Sequence, residues 1–260
     1  MSEHPLKSFL KKYPIVVRLY TIQRSVVGYF RFLLTFFRFR HLASSKRQRF
    51  TLLWKDRYPR LTDNTGSTGF DRHYVYHPAW AARILAQSKP EFHVDISSLL
   101  HFCTIVSAFI PVKFYDYRPA DLQLSNLTSD AVDLLALPFS DRSIRSLSCM
   151  HVVEHVGLGR YGDPLDPDGD LQAIAELKRV LAKNGDLLFV VPIGKPKIMF
   201  NAHRIYSYEQ IVSFFSDLEL REFALIPEDP KNGGLIRDAS KHLADTETYG
   251  CGCFWFRRID

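Results

Sequence analysis

The sequence predicts an α/β fold with a doubly wound, mostly parallel sheet, preceded by a helical N-terminal extension. Three consecutive stretches predict it. ALPFSDRSIRSLSCMHVVEHV reads as a turn, a buried strand and a short segment ending at His151-Val-Val-Glu154-His155. GLGRYGDPLDPDGD is a loop crowded with Gly, Pro and Asp, and LQAIAELKRVLAKNGDLLFVVPIG is an amphipathic helix, a Gly turn and an apolar strand. A strand, a polar loop, a helix and a second strand make half of a doubly wound sheet. Such sheets bind ligands beyond the carboxyl ends of their strands, so polar residues there are the first functional candidates.

From the N-terminus, residues 1–60 hold 14 of the 34 Lys/Arg and only Glu3 and Asp56 as acids, whereas the remainder is acidic on balance. The basic character therefore belongs to the arm, and nucleic-acid binding by the main domain is not expected. Within residues 13–40, Arg24, Arg31 and Arg38 recur every seven residues among Val, Ile, Leu and Phe. A transmembrane span is not expected, because each central Arg would cost about 2.5–3.5 kcal/mol on insertion. A helix lying in the membrane interface fits this composition; packing on its own domain or on a second subunit is the alternative. Residues 41–60 read as a basic connector, and no signal-peptide layout is present. The expected domains are 1–60 and 61–260.

LTDNTGSTGFDRHYVYH reads as a loop, and His77-Pro78 opens a helix through Ser88, with Pro78 in the tolerated first turn. FHVDI is a short strand carrying Asp95, followed by a helix over Ser97 to Phe109 capped by Ser97 or Ser98. VKFYDY is a second strand ending at Asp116, a third short strand lies within Leu122 to Asp133, and Ile144 to Met150 is the fourth. Asp170 to Ala182 is a helix ended by Asn184-Gly185 in a left-handed cap, and Asp186 to Val191 is the fifth strand. Ser207 caps a helix through Phe215, Glu219 to Ile226 is a strand, and GCGCFWFRRI is the last, with a bulge at its glycines. Cys103, Cys149, Cys251 and Cys253 read as reduced structural thiols of a cytosolic protein.

His151-Val-Val-Glu154-His155 also fits H-x-x-E-H, a zinc-hydrolase signature. That reading needs a long helix and a third ligand, whereas a strand precedes the motif and glycines follow it, so no metal ligands are assigned. In the following loop, Asp168 or Asp170 is expected to cap the next helix, and Arg160 with Asp163 can grip a sugar through paired donors and acceptors. Asn201, His203 and Arg204 follow the fifth strand on the same rim, where an Arg suits a phosphate or carboxylate.

The order of pieces resembles the class I S-adenosylmethionine-dependent methyltransferases over about residues 75–258. Asp95, Asp116, Asp133 before Leu137-Pro138-Phe139, the strand into Val153-Glu154-His155 and LKRVLAKNGDLLFVVP carry the likeness. EHVGLGRYGDPLDPDGD with NAHR is similar to a narrower bacterial family, domain of unknown function 268, associated with surface-polysaccharide gene sets. The resemblance implies a seven-stranded methyltransferase-like Rossmann sheet. It implies S-adenosylmethionine as cofactor, with Asp95, Ser97 and Ser98 beside its amino-acid part, Asp116 on the ribose, and Asp133 with Leu134 on the adenine. One departure stands out: the turn after the first strand is Asp95-Ile-Ser97-Ser98-Leu99, without the family's glycines.

The functional expectation is methyl transfer to a hydroxyl of a carbohydrate or surface-glycan precursor. His151 would act as base, with Glu154 and His155 beside it. Arg160, Asp163, Asn201, His203 and Arg204 would hold the acceptor. The rival is a cofactor-less methyltransferase fold serving as a scaffold in membrane-associated glycan assembly; the zinc hydrolase is a lesser one. A cytoplasmic location, peripheral at the inner membrane, and a possible homo-oligomer complete the expectations.

Overall fold

The computed structural model describes residues 14–44, 46, 49–97 and 99–260. The chain divides into two compact units, Met1–Phe70 and Asp71–Asp260. In the first, α1 (Pro14–Ser44) is followed by a single 3₁₀ turn at Trp54–Asp56. Trp54 packs against Phe36 with ring centroids 5.0 Å apart and stacks on Phe37. Ile22, Val26, Phe30 and Leu34, four residues apart in succession, remain exposed along α1.

The second unit is built on one sheet. In chain order it comprises α2 (Arg72–Ser88), β1 (His93–Ser97), α3 (Leu100–Val106), β2 (Val112–Asp116), β3 (Leu127–Ala131), β4 (Ile144–Met150), α4 (Gly169–Val180) and β5 (Leu181–Ile193). A small hairpin of β6 (Lys197–Met199) and β7 (His203–Ile205) leads to α5 (Tyr208–Phe214), β8 (Glu219–Ile226), α6 (Lys241–Thr246) and β9 (Gly250–Arg257). The strands order as β3-β2-β1-β4-β5-β9-β8. The first five are parallel, and β9 runs antiparallel to both neighbours. This is the doubly wound, mostly parallel, seven-stranded sheet of a methyltransferase-like Rossmann fold.

The period of two along β5 explains its central place. Leu187, Phe189 and Val191 enter one core with Leu177, Phe215 and Phe254, while Leu188 and Val190 enter the other with Trp80, Phe102 and Phe114. A strand buried on both faces favours such an unbroken apolar run. Behind β3, the Arg179 guanidinium on α4 donates to the carbonyls of Leu137 and Phe139 at 2.9 and 2.8 Å, and to Glu176. Glu176 in turn accepts from the Leu137 N–H at 2.8 Å, so the loop after β3 is tied to α4 from both sides.

Several boundaries differ from expectation for identifiable reasons. The helix before β1 opens at Arg72 rather than His77, because the Asp71 carboxylate accepts from the Tyr74 N–H at 3.2 Å and caps it; Pro78 lies inside. The helix after β1 is the shorter Leu100–Val106 with no side-chain cap, the Ser97 hydroxyl instead accepting from the Leu99 N–H. Asn184, at φ +58°, does not close α4, which ends at Val180. Asn184-Gly185 instead forms an irregularity in β5, where pairing with β4 shifts between Ile144 and Ser146. No bulge occurs at Gly250 or Gly252; β9 pairs in continuous register with β5, and the irregularity falls opposite β8 at Leu220/Glu222. Gly252 is required by close approach, since a Cβ there would lie 2.3 Å from Ile193 Cγ1.

Candidate functional site

The carboxyl ends of β1, β2, β3 and β4 open onto a cavity. Its walls are largely apolar, from Ile96, Val132, Leu134, Leu135, Val152 and Val156, with Ser97, Asp116 and Asp133 at the strand ends. The two carboxylates shape their own loops: Asp116 Oδ1 accepts from the Arg118 N–H and Asp133 Oδ1 from the Leu135 N–H, each at 2.9 Å. Leu134 lines the cavity beside Asp133 and is otherwise packed into the core, 7% exposed.

Asp95 is not on that rim, which corrects its expected place beside a cofactor. It is fully buried on the face that β1 shares with His93. The strand alternates its side chains, and Asp95 joins a chain in which Ser146 meets His93 Nδ1 at 2.8 Å, His93 Nε2 meets Ser148 Oγ at 2.8 Å, and Ser148 donates to Asp95. Burial pushes Asp95 up to about 7 and His93 down to about 3, so both favour their neutral forms. Ser98 lies outside the described residues.

A second cavity adjoins the first and shares His151, His155 and Tyr161 with it. Tyr74, Glu154, Arg160, Ala202, His203 and Tyr249 complete it. Its residues come from α2, the segment after β4, the β6–β7 turn and the approach to β9. The H-x-x-E-H run is not helical: β4 ends at Met150, His151 sits at φ +55°, and Val153–His155 is a single 3₁₀ turn. The helical zinc-hydrolase geometry is therefore absent.

Within this segment, His151 Nδ1 lies 2.7 Å from Glu154 Oε1 and His151 Nε2 lies 3.5 Å from Cys251 Sγ, inside the protein. Glu154 is 1% exposed; burial works against its charge, but His151, its hydrogen bond and His155 bring it below the ordinary carboxylate value. His155 Nδ1 lies 2.6 Å from the Ala202 carbonyl, which places the proton there, and Nε2 lies 3.9 Å from Glu154 Oε1. Burial lowers His155 below the ordinary imidazole value, keeping it neutral near pH 7. Arg160 shares the Ala202 carbonyl at 3.0 Å and lies 5.0 Å from the Tyr161 ring centroid.

The loop after the motif is held by its own acids. Asp163 accepts from the N–H groups of Gly157, Gly159 and Tyr161 at 2.8, 3.2 and 3.1 Å. Its burial opposes the charge, but these donors hold it below the usual carboxylate range. Gly157, at φ +79°, admits no side chain, because a Cβ would lie 2.0 Å from the Asp166 carbonyl oxygen. Asp168 stands at the start of α4 without a side-chain cap, and Asp170 accepts from the Tyr206 hydroxyl at 2.9 Å. Neither plays the capping role expected of it. Arg204 is buried and donates to the carbonyls of Val156, Asp166 and Pro167 at 2.6, 3.3 and 3.1 Å, facing the loop rather than a cavity. Asn201 is exposed and lines neither cavity.

Of the residues expected from sequence, the fold brings Ser97, Asp116, Asp133, Leu134 and Asp163 around one cavity, Glu154, Arg160 and His203 around the other, and His151 and His155 to their junction. Arg118, Tyr74, Tyr161 and Tyr249 also line these cavities and were not expected. Tyr74 was legible through Asp71, three residues before it and of capping type; Tyr249 carried no local signal.

A family model described as Caenorhabditis protein of unknown function, DUF268, matches residues 141–228. The family is described from Caenorhabditis rather than from bacteria. No curated protein matches the chain. Among solved structures, the chain is similar to YcgJ of Bacillus subtilis, at 14% identity and TM-score 0.47, over 70% of this chain and 99% of that one. It is also similar to the 1,6-didemethyltoxoflavin-N1-methyltransferase of Burkholderia thailandensis, solved with S-adenosylhomocysteine, at 10% identity and TM-score 0.49, over 71% and 79% of the two chains. The N-methyltransferase NodS of Bradyrhizobium japonicum, also in complex with S-adenosylhomocysteine, matches at 13% identity and TM-score 0.49, over 73% and 90%.

Proposed function

We propose that the chain is an S-adenosylmethionine-dependent methyltransferase acting on a hydroxyl of a carbohydrate or surface-glycan precursor. The supporting observation is the pair of adjoining cavities: one apolar with acids at its strand ends, one polar and aromatic, meeting at His155. The first suits a nucleoside. Asp116 can accept from ribose hydroxyls, Asp133 with the backbone at Leu134 can read an adenine edge, and the apolar walls can cover the ring. The Ser97 hydroxyl is engaged with its own backbone, accepting from the Leu99 N–H at 3.1 Å.

When bound, the cofactor supplies an electrophilic methyl group. The protein's part is orientation and one proton. His155 Nε2, left with its lone pair by the Nδ1–Ala202 contact, accepts the acceptor's hydroxyl proton, and the Glu154 carboxylate 3.9 Å away stabilises the resulting imidazolium. This moves the base from His151, whose Nε2 is turned to Cys251. Tyr74, Tyr161 and Tyr249 offer ring faces to a sugar, with Arg160 and His203 as polar partners.

The exposed stripe Ile22, Val26, Phe30 and Leu34 on a strongly basic arm supports docking on an anionic membrane surface, where a glycan-lipid precursor would reside. Among the described residues no helix is long and apolar enough to cross a membrane. Sedimentation with anionic against neutral vesicles tests this; equal partition would remove it. For the main reading, titration calorimetry with S-adenosylhomocysteine is decisive. Absence of both heat and thermal shift at millimolar ligand would leave the cofactor-less scaffold, which the glycine-free turn favours.

A further inference from the structure

His73 on α2, His151 after β4 and Cys251 at the start of β9 are far apart in the chain, yet their ligand-type atoms all lie within 4.8 Å of one another. All three are buried, at 8%, 4% and 0% exposure. The 3.5 Å between Cys251 Sγ and His151 Nε2 is the edge a tetrahedral ion would span, about 3.5 Å for bonds of about 2.3 Å to sulfur and about 2.0–2.1 Å to nitrogen.

The tautomers agree with this geometry. The Glu154 carboxylate, 2.7 Å from His151 Nδ1, holds the proton there and leaves the Nε2 lone pair facing Cys251. A carboxylate behind an imidazole is the usual outer support of a zinc-bound histidine. His77, one turn after His73 on α2, repeats the device: its Nδ1 lies 2.7 Å from the His73 carbonyl, and its Nε2 is buried with no hydrogen-bond partner. A bare, buried nitrogen acceptor is costly unless something fills the space before it. Its ring centroid lies 5.0 Å from that of His151. His151 itself holds a left-handed backbone, uncommon for a residue with a side chain, which aims the ring into this cluster.

We propose that His73, His151 and Cys251 bind a zinc ion. Two or more imidazoles and one thiolate suit zinc and exclude magnesium or calcium as the resident ion. Its three ligands come from α2, the end of β4 and the start of β9, so the ion pins these elements to one another. Cys251 gives up its thiol proton to solvent on binding, and His151 binds through the nitrogen that its Glu154 contact leaves bare. Glu154 then acts on the metal only through His151, as a positioning residue.

The test uses the full chain, purified without chelator and dialysed against metal-free buffer. Elemental analysis is expected to return about one zinc per chain, independent of S-adenosylhomocysteine. After stripping, cobalt(II) is expected to restore a tetrahedral spectrum with a near-ultraviolet thiolate-to-cobalt band. The band should vanish in Cys251→Ser and persist in Cys253→Ser. His73→Gln provides a second ligand variant, and Glu154→Gln should weaken zinc binding roughly 10–100-fold without changing the spectrum, with circular dichroism confirming the fold of each. A folded wild-type chain that takes up neither zinc nor cobalt at micromolar concentration, or equal uptake by wild type and Cys251→Ser, would overturn the site.

Discussion

The two adjoining cavities are made in different ways. The apolar one is a product of the sheet: its acids sit where parallel strands end, and each is locked by the loop that follows it. The polar one is a product of the connections, drawing on α2, the segment after β4, the β6–β7 turn and the residue before β9. A sheet edge places groups by register, which is regular. Connections place them by individual bonds, such as the contact from His155 to the Ala202 carbonyl. The first cavity should therefore tolerate change around it, and the second should depend on single braces.

The sharpest way to separate them is His155→Gln. Under the proposed chemistry it should lower kcat by about 10²–10⁴-fold while the affinity for S-adenosylhomocysteine stays within a few-fold of wild type. A parallel loss of ligand affinity would merge the two cavities into one functional unit. Next in size is Arg204→Ala. It leaves Asp170 buried without its cation and takes a donor from the carbonyls of Val156, Asp166 and Pro167, of which Asp166 keeps the Gly169 N–H, so chemical denaturation should register a loss of about 3–5 kcal/mol. A change below 1 kcal/mol would mean the loop is held without it.

Asp116→Asn should spare the fold and weaken S-adenosylhomocysteine by about 1.5–3 kcal/mol, the range for hydrogen bonds to a charged group; unchanged affinity in calorimetry would move the ribose elsewhere. The smallest effects are in pH. His155 must be neutral to accept a proton and its value is lowered, so the acid limb of kcat should fall below the ordinary imidazole value of 6.5. His93, lowered to about 3, stays neutral in the folded chain while the unfolded chain takes up a proton below about 6.5. Its contribution is thus full above that value and is lost as pH falls toward 3, by at most about 1.4 kcal/mol per unit. Denaturation midpoints of His93→Gln and wild type, compared at pH 7 and 5, should show a flatter dependence in the variant.

The same contrast governs what was legible beforehand. β4 and β8 match their expected bounds, and β5 its centre, where burial on both faces writes the apolar run LLFVVPI into the chain. Asp116 and Asp133 followed from being acids at strand ends. Asp95 did not, because a side chain's face depends on register against Ser148, which no local pattern reports. Arg204 read as a ligand-gripping cation, since the sequence does not disclose that three carbonyls of a distant loop converge on it. The helix from Arg72 was hidden by the Gly- and Thr-rich stretch just ahead of its Asp71 cap.

The clamp of Arg179 and Glu176 on the loop after β3 bears on how quickly the apolar cavity can be filled. That loop carries one wall, and both its backbone carbonyls and an N–H are already satisfied from α4. Under the proposed function, a nucleoside arriving there meets a loop already ordered, so association should run close to the rate of a rigid encounter and selectivity should reside in dissociation.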